Sequence, residues 1–242
     1  MKHLKTNMGV AIIAALIISI TACKKSDSNK DSDKTTTPVT ASTPGNSTNA
    51  YDSIGYYHND ILSGIQPCVP ADNKNANTII GCIVQFDSAE KLVPPNSIIS
   101  SVPQTVADQP NSFSNVINNS PYSTQAKALL DSLFITVEEN ASKTSYAAIK
   151  APIIAFENQV SKNATLNSAD KEVLLQAASV ARYSVYYWMI TNQDGKALKL
   201  KNLVMWIGAV TSDIAGAIVS YNPGYSAACS MYAWDLVNYS MP

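Results

Sequence analysis

The stretch VLLQAASVARYSVYYWMI, residues 173 to 190, decides the fold of this chain. Its one charged residue is Arg182, which is also the only arginine of the sequence. A helix that is apolar on nearly every side is buried, so we expect the neighbouring segments to pack around it. The sequence therefore predicts an all-α fold, an irregular helical bundle around a central apolar helix over about residues 168 to 191.

The ends of this helix can be recognised. Asn167 or Ser168 can cap it, Asp170 places negative charge in its first turn, and the polar residues up to Gly195 end it. Spanning a bilayer is the weaker interpretation, because Arg182 at mid-length would then cost at least about 2.5 kcal/mol.

Composition indicates a globular protein. The chain has 242 residues, 46 % of them hydrophobic, with a formal net charge of -1. That charge balance lacks the basic excess of proteins that bind nucleic acid, so no nucleic-acid partner is expected.

The N-terminus resembles a bacterial lipoprotein signal. Lys2 and Lys5 precede the apolar run Val10 to Ile20, and Ile20-Thr21-Ala22-Cys23 supplies a small-residue cleavage site. The resemblance implies a signal peptide over residues 1–22, a lipid on Cys23 and a membrane as partner. Lys24 after the lipidated residue favours the outer membrane, again by resemblance, with the face unassigned. An uncleaved anchor helix is the alternative.

Residues 24 to 50 change in character. They are mostly Ser, Thr, Asp, Lys, Asn and Pro, without an aromatic residue. Such a segment buries too little apolar area to offset its ordering entropy. We therefore expect the lipidated Cys23 and a disordered tether over residues 23–50, followed by a single helical domain over residues 51–242.

Two motifs in that domain resemble a known group of proteins. The first is Tyr-Asp-x-x-Gly-x-x-His-Asn-x-x-Leu from Tyr51 to Leu62, and the second is Ala-Arg-Tyr-Ser-x-Tyr-Tyr-Trp from Ala181 to Trp188. Together they resemble exported, lipoprotein-type proteins of Bacteroidota that have no known activity. The resemblance implies architecture and location but no chemistry.

Cys68 and Cys82 flank a polar loop in a chain that we expect to be exported. This context favours a disulfide, although two separate buried thiols are the alternative. Cys229 is left over and fits a small core position. Metal binding is not expected, because the sequence has no CxxC pair and His58 is its only histidine outside the signal.

The remaining segments also favour helices. Residues 79 to 86 suit a helix or a strand, and we favour the helix. A clear amphipathic helical pattern begins at Ser123, and another runs from Tyr146 to Val160. Pro152 either kinks this second helix or restarts it. A long apolar segment ends near Tyr221 and a closing helix spans Tyr225 to Tyr239. Small residues recur every fourth position of the apolar segment and form a ridge for close helix packing: Gly208, Ser212, Gly216 and Ser220.

Three residues form the candidate polar core or ligand site: Arg182, Asp213 and His58. Asp213 lies in the ridge helix with no other charge between residues 203 and 221. A buried carboxylate requires a partner, so we expect Asp213 to meet Arg182, or each side chain to extend to water. His58 suits a structural hydrogen bond or, less readily, a role in proton transfer.

Common catalytic and cofactor motifs are absent from the sequence: it has no GxSxG, HExxH, P-loop or GxGxxG. We therefore expect no cofactor, no catalytic residue and a non-enzymatic structural or binding module of the cell envelope, with a protein or glycan partner. The twelve tyrosines could line a groove for such a partner. The alternatives are a membrane-active protein that inserts residues 203–221, and an enzyme or small-ligand binder that uses His58 and Arg182.

Overall fold

The computed structural model describes residues 43–69, 76–87, 114–143, 145–191, 200–220 and 222–240. The signal peptide, Cys23, the first part of the tether, the proline-rich region before residue 114 and the turn at Gly195 lie outside these ranges. Within them the chain is all-helical, as predicted, and contains no strand. The helices are α1 Asp52–Ile65, α2 Ala76–Asp87, α3 Ser114–Asn118, α4 Thr124–Asn140, α5 Tyr146–Lys162, α6 Ser168–Tyr186, α7 Leu200–Ser220 and α8 Pro223–Ser240.

Local signals explain most of the helix starts. Ser123, Ser145 and Asn167 each accept a hydrogen bond on the side chain from a backbone N–H of the first turn, which caps α4, α5 and α6. Pro223 occupies the first position of α8, where its missing N–H has no intrahelical partner to lose. Pro152 lies inside α5 without ending it.

Helix α6 carries the segment that the sequence singles out. Every residue from Val173 to Val185 is buried, and α6 packs against α1, α4, α5 and α7. The helix continues beyond Tyr186 as a short π-helix, Tyr187–Thr191. Helices α7 and α8 pack against each other, and α8 also packs on α1 and α2.

Residues 43–50, which we call the strap, precede α1 and contact the helices. Lys150 Nζ of α5 donates to the carbonyls of Thr43 and Gly45 at 2.6 and 2.9 Å. Asn49 Nδ2 donates to Leu175 O of α6 at 2.9 Å. The sequence placed the start of the domain at Tyr51, and the structure extends the packed region to Thr43, because side chains of the helices supply partners for this polar stretch.

The disulfide that the cysteine spacing predicts is present between Cys68, just after α1, and Cys82 of α2. Cys229 is a buried free thiol in α8, as expected. Helix α2 also confirms the helical interpretation of residues 79 to 86 over the strand.

Helices α1 and α6 approach closely at Gly55. A β-carbon at this position would lie 2.6 Å from the backbone oxygen of Ser179 and 2.4 Å from a ring carbon of Tyr183. Gly55 N–H also donates to Ser179 Oγ at 3.2 Å. The two sequence motifs therefore lie face to face, and their contact leaves no room for a side chain.

We expect Gly55→Ala to lower the free energy of unfolding by about 1 to 3 kcal/mol, because the methyl group would push the two backbones apart. Gly81→Ala in α2 is the matched control, since its β-carbon would meet no atom within 4 Å. That variant should gain about 0.5 to 1 kcal/mol from helix propensity. Urea unfolding of both measures the difference, and equal effects of the two substitutions would contradict the close approach.

Candidate functional site

Arg182 is fully buried in α6 and binds carboxylates from two other helices. Its Nε donates to Glu157 Oε1 and Oε2 of α5 at 3.0 and 3.1 Å. Its Nη2 lies 2.5 Å from Asp52 Oδ1 of α1, and its Nη1 donates to the carbonyl oxygen of Pro44 in the strap. The guanidinium therefore joins α1, α5, α6 and the strap in one network.

Glu157 is 1 % exposed, so its charge requires several partners. Besides Arg182, the side chains of Asn46 and Asn49 donate to its two oxygens, each at 2.6 Å. Charge-assisted hydrogen bonds of this kind are short and stronger than neutral ones. The strap thus provides the donors that a buried carboxylate lacks within the helices.

The expected ion pair between Arg182 and Asp213 is not formed. Both side chains are fully buried, as their isolation in apolar helices indicated, but among the described residues the ion pairs of Arg182 are with Asp52 and Glu157. Arg182 pairs with these two carboxylates because its planar guanidinium group can bond both oxygens of Glu157 and still reach Asp52. Asp213 finds its partners elsewhere.

Asp213 of α7 belongs to a second buried cluster. Its Oδ1 lies 2.7 Å from His58 Nε2 of α1, and Ser184 Oγ of α6 donates to its Oδ2 at 2.5 Å. All three residues are 0 % exposed. His58 Nε2 and Asp213 Oδ1 lie close together, but their geometry departs from that of an ideal hydrogen bond.

Neighbouring groups fix the protons of this cluster. Asn59 Nδ2 donates to Tyr183 O at 2.7 Å, so the amide oxygen is the atom that faces His58 Nδ1 at 3.0 Å. Nδ1 must then carry a proton. A further proton is needed between Nε2 and Asp213, since two lone pairs would repel at 2.7 Å. Burial raises the pKa of Asp213 above its ordinary value, and this favours the protonated pair.

Asn59 contacts His58 although adjacent residues on a helix do not usually face each other. The Nδ2 atom of Asn59 is held by the carbonyl of Tyr183 on α6, and its Oδ1 lies 3.0 Å from His58 Nδ1.

The cluster does not have the order of a catalytic triad. In a triad the histidine lies between the hydroxyl and the carboxylate and removes the hydroxyl proton. Here Ser184 and His58 bind different oxygens of Asp213, and the hydroxyl donates to the carboxylate. With all three side chains inaccessible to a substrate, this arrangement serves to link α1, α6 and α7.

A groove lies above the Arg182 network, between the strap, α1 and α6. It has a volume of about 480 Å³ and is open to solvent. Tyr56 is 56 % exposed at its edge, whereas Tyr183 and Tyr187 are nearly buried. The residues that line it are Thr43, Pro44, Gly45, Tyr56, Asn59, Asp60, Ser63, Tyr183, Tyr186 and Tyr187. We call it the tyrosine groove.

Comparisons with known proteins do not extend these observations. Protein-family models, curated proteins and solved structures were each searched, and none matches the chain. The site must therefore be interpreted from its own geometry.

The floor of the tyrosine groove is held in place by the residues beneath it. Tyr183 Oη donates to Asp52 Oδ2 at 3.2 Å, and Tyr187 Oη donates to Gln66 Oε1 at 3.1 Å. Burial raises the pKa of both tyrosines to about 12, so both phenols are neutral at physiological pH. The groove thus presents fixed, uncharged aromatic rings.

The small-residue ridge of α7 faces α8 at its centre. A β-carbon on Gly216 would lie 2.7 Å from Cα of Ser226, and Ser226 Oγ donates to Asp213 O at 2.6 Å. Ser212 and Ser220 instead bond the carbonyls of Gly208 and Gly216 on their own helix. None of the described helices combines the length and apolarity needed to cross a membrane.

Sequence reasoning missed Glu157, Asp52 and the two strap asparagines as members of the polar core. A signal for Glu157 was available, because it lies four residues after buried Ile153 and three before buried Val160, on the inner face of α5. Asp52 was noted only as a member of the motif from Tyr51 to Leu62. No signal pointed to Asn46 or Asn49, whose surroundings have the composition of a linker.

Proposed function

We propose that this protein is a lipid-anchored, non-enzymatic binding module of the cell envelope and that it binds its ligand in the tyrosine groove. The observation that carries the proposal is the groove itself: four tyrosines from α1, α6 and the π-helix that follows α6 line one open concavity. Tyrosine is enriched in binding sites because it offers a large apolar face with a polar tip and little conformational freedom to lose.

The burial of the charged core supports the non-enzymatic part of the proposal. A general base or acid must come within hydrogen-bond reach of the atom on which it acts. His58, Arg182 and Asp213 are 0 % exposed and have partners inside the protein. Their positions favour a structural role, in which they orient the helices that carry the groove.

The anchor rests on the N-terminal sequence. A basic region, an apolar run and a small-residue site before Cys23 together support lipid attachment at that thiol. The strap lies twenty residues after Cys23 and bounds the groove on one side. The ligand would therefore be bound close to the membrane surface, with the outer membrane as the proposed location.

We expect Cys23→Ser to abolish lipid attachment and move the full chain from the detergent phase to the aqueous phase in Triton X-114 partition. Cys229→Ser is the control, because it removes a thiol from inside the domain. Mass spectrometry of the N-terminus then identifies the modified residue. A Cys23→Ser chain that still partitions into detergent would contradict the lipid anchor.

The groove is tested with a chain whose tyrosine rings are isotopically labelled for NMR, starting at residue 23 with Cys23→Ser so that it carries every described residue. We expect a soluble fraction of envelope glycans or peptides to shift the signals of Tyr56, Tyr183, Tyr186 and Tyr187. Tyr56→Ala should weaken that binding at least about tenfold, the effect of losing an aromatic anchor.

Tyr57→Ala is the matched control, because Tyr57 is 37 % exposed and neighbours Tyr56 but does not line the groove. It should leave the affinity within about twofold, as expected for a residue outside the contact. A ligand that binds without shifting the groove tyrosines would contradict this site, and so would the failure of every fraction to bind.

A further inference from the structure

The charge of the tyrosine groove indicates the kind of group it accepts. Among the described residues that line the groove, Asp60 is the one that is charged at neutral pH, and it is exposed on α1. Four tyrosines accompany it, and the face of an aromatic ring is electron-rich. A carboxylate beside such faces is complementary to a cation.

The charges around the groove do not oppose a cation. Arg182 and Lys150 contact its floor and its strap wall, but Asp52 and Glu157 bind Arg182. With Asp60 included, these five side chains have three carboxylates and two cations, a formal charge of -1. A cation that enters the groove would therefore lie near an exposed carboxylate, and the positive charge of Arg182 beneath it is balanced by Asp52 and Glu157.

The protein already places one guanidinium against this aromatic surface. The Cζ of Arg182 lies 5.6 Å from the ring centroid of Tyr183, inside the range of a cation–π contact. Arg182 itself is fully buried, whereas Tyr183 also lines the groove. The tyrosine floor therefore already has a planar cation within cation–π range.

We propose that the tyrosine groove binds an arginine side chain of a peptide or protein partner, with the guanidinium stacked on a tyrosine ring and paired with Asp60. Arginine fits better than lysine, because its planar fork can stack on a ring and bond both oxygens of a carboxylate at once. This inference rests on the proposed function and specifies the chemistry of its ligand.

The test uses the same tyrosine-labelled chain and two peptides of the same length and nearly the same shape, of which one carries guanidinium groups and the other neutral ureido groups. One is acetyl-Gly-Arg-Gly-Arg-Gly-amide, and the other has citrulline in place of each arginine. We expect the arginine peptide to shift the groove tyrosines and to bind at least about tenfold more tightly than the citrulline peptide. Asp60→Asn should remove that preference, while Asp131→Asn, an exposed carboxylate on α4, should preserve it.

The remaining outcomes separate this inference from the proposal on which it rests. If the citrulline peptide or a neutral envelope glycan shifts the groove tyrosines as strongly as the arginine peptide, the preference for a cation is overturned but the groove remains the binding site. If no peptide and no envelope fraction shifts them, both are overturned. Equal effects of Asp60→Asn and Asp131→Asn would overturn the role of Asp60.

Discussion

Arg182→Met is expected to lower the free energy of unfolding by about 3 to 5 kcal/mol, the cost of removing one partner from a buried ion pair. Methionine fills much of the arginine volume, so the loss reports the charge rather than a cavity. Glu157 would keep its bonds to Asn46 and Asn49 but would lose its only cationic partner among the described residues. Urea unfolding followed by circular dichroism measures the effect.

Lys143→Met is the control, because Lys143 is exposed after α4 and its substitution should change the free energy by no more than about 0.5 kcal/mol. If Arg182→Met does not fold, Arg182→Lys provides the second variant. Lysine retains the positive charge but lacks the planar guanidinium group, so this variant should fold with a smaller loss in the free energy of unfolding. A loss under about 1 kcal/mol for Arg182→Met would contradict the buried network.

Asp213→Ala is expected to destabilise the protein by about 3 kcal/mol or more, because it leaves His58 Nε2 and Ser184 Oγ buried without their partner. Asp213→Asn should be far milder. Its amide oxygen can accept from Ser184, and its amide nitrogen can donate to Nε2 in place of the proton that the pair shares. The comparison of the two variants separates the hydrogen bonds from the charge.

The same pair predicts a pH dependence. Burial raises the pKa of Asp213 above 3.8, so between the unfolded and folded pKa values the folded chain holds a proton that the unfolded chain has released. The stabilisation is complete below the unfolded pKa and is lost as pH rises through the folded pKa. Because asparagine cannot release this proton, the wild-type protein should lose stability relative to Asp213→Asn from about pH 4 upward.

Unfolding free energies of both proteins at several pH values check this expectation, with Asp131→Asn as the control for an exposed carboxylate. A difference between wild type and Asp213→Asn that stays constant with pH would show that Asp213 titrates alike in the folded and unfolded chains.

The helices were predictable because their signals are local. Residues that are close in sequence define the caps at Ser123 and Asn167 and the apolar run of α6. The structure has helices that begin at these caps. The disulfide between Cys68 and Cys82 was also predictable, because the two cysteines are close in sequence.

The polar partners were not predictable, because they are set by tertiary packing. Arg182 and Asp213 each required a buried partner, and the sequence offered each as the other's. The structure resolves this with Glu157 from 25 residues earlier and with His58 from the first helix. The pairing depends on which faces of α1, α5 and α7 meet α6, and helical periodicity alone does not specify those neighbours.

The strap shows a further limit of composition. Residues 43–50 have the polar composition of a linker, yet two of their asparagines satisfy a buried carboxylate. A segment that gains its partners only from the folded domain has no signal of order in its own sequence. The tyrosine groove was predicted only as a possibility, because its rings come from α1, from α6 and from the π-helix that follows α6.

The central claim is that the buried charged residues hold the helices while the tyrosine groove binds the ligand. One paired measurement tests it: the affinity for a groove ligand and the free energy of unfolding, in Tyr56→Leu and in His58→Gln. We predict that Tyr56→Leu loses binding with nearly unchanged stability and that His58→Gln loses stability but binds normally while folded. A folded His58→Gln protein that no longer binds, or a Tyr56→Leu protein that binds as well as wild type, would contradict the account.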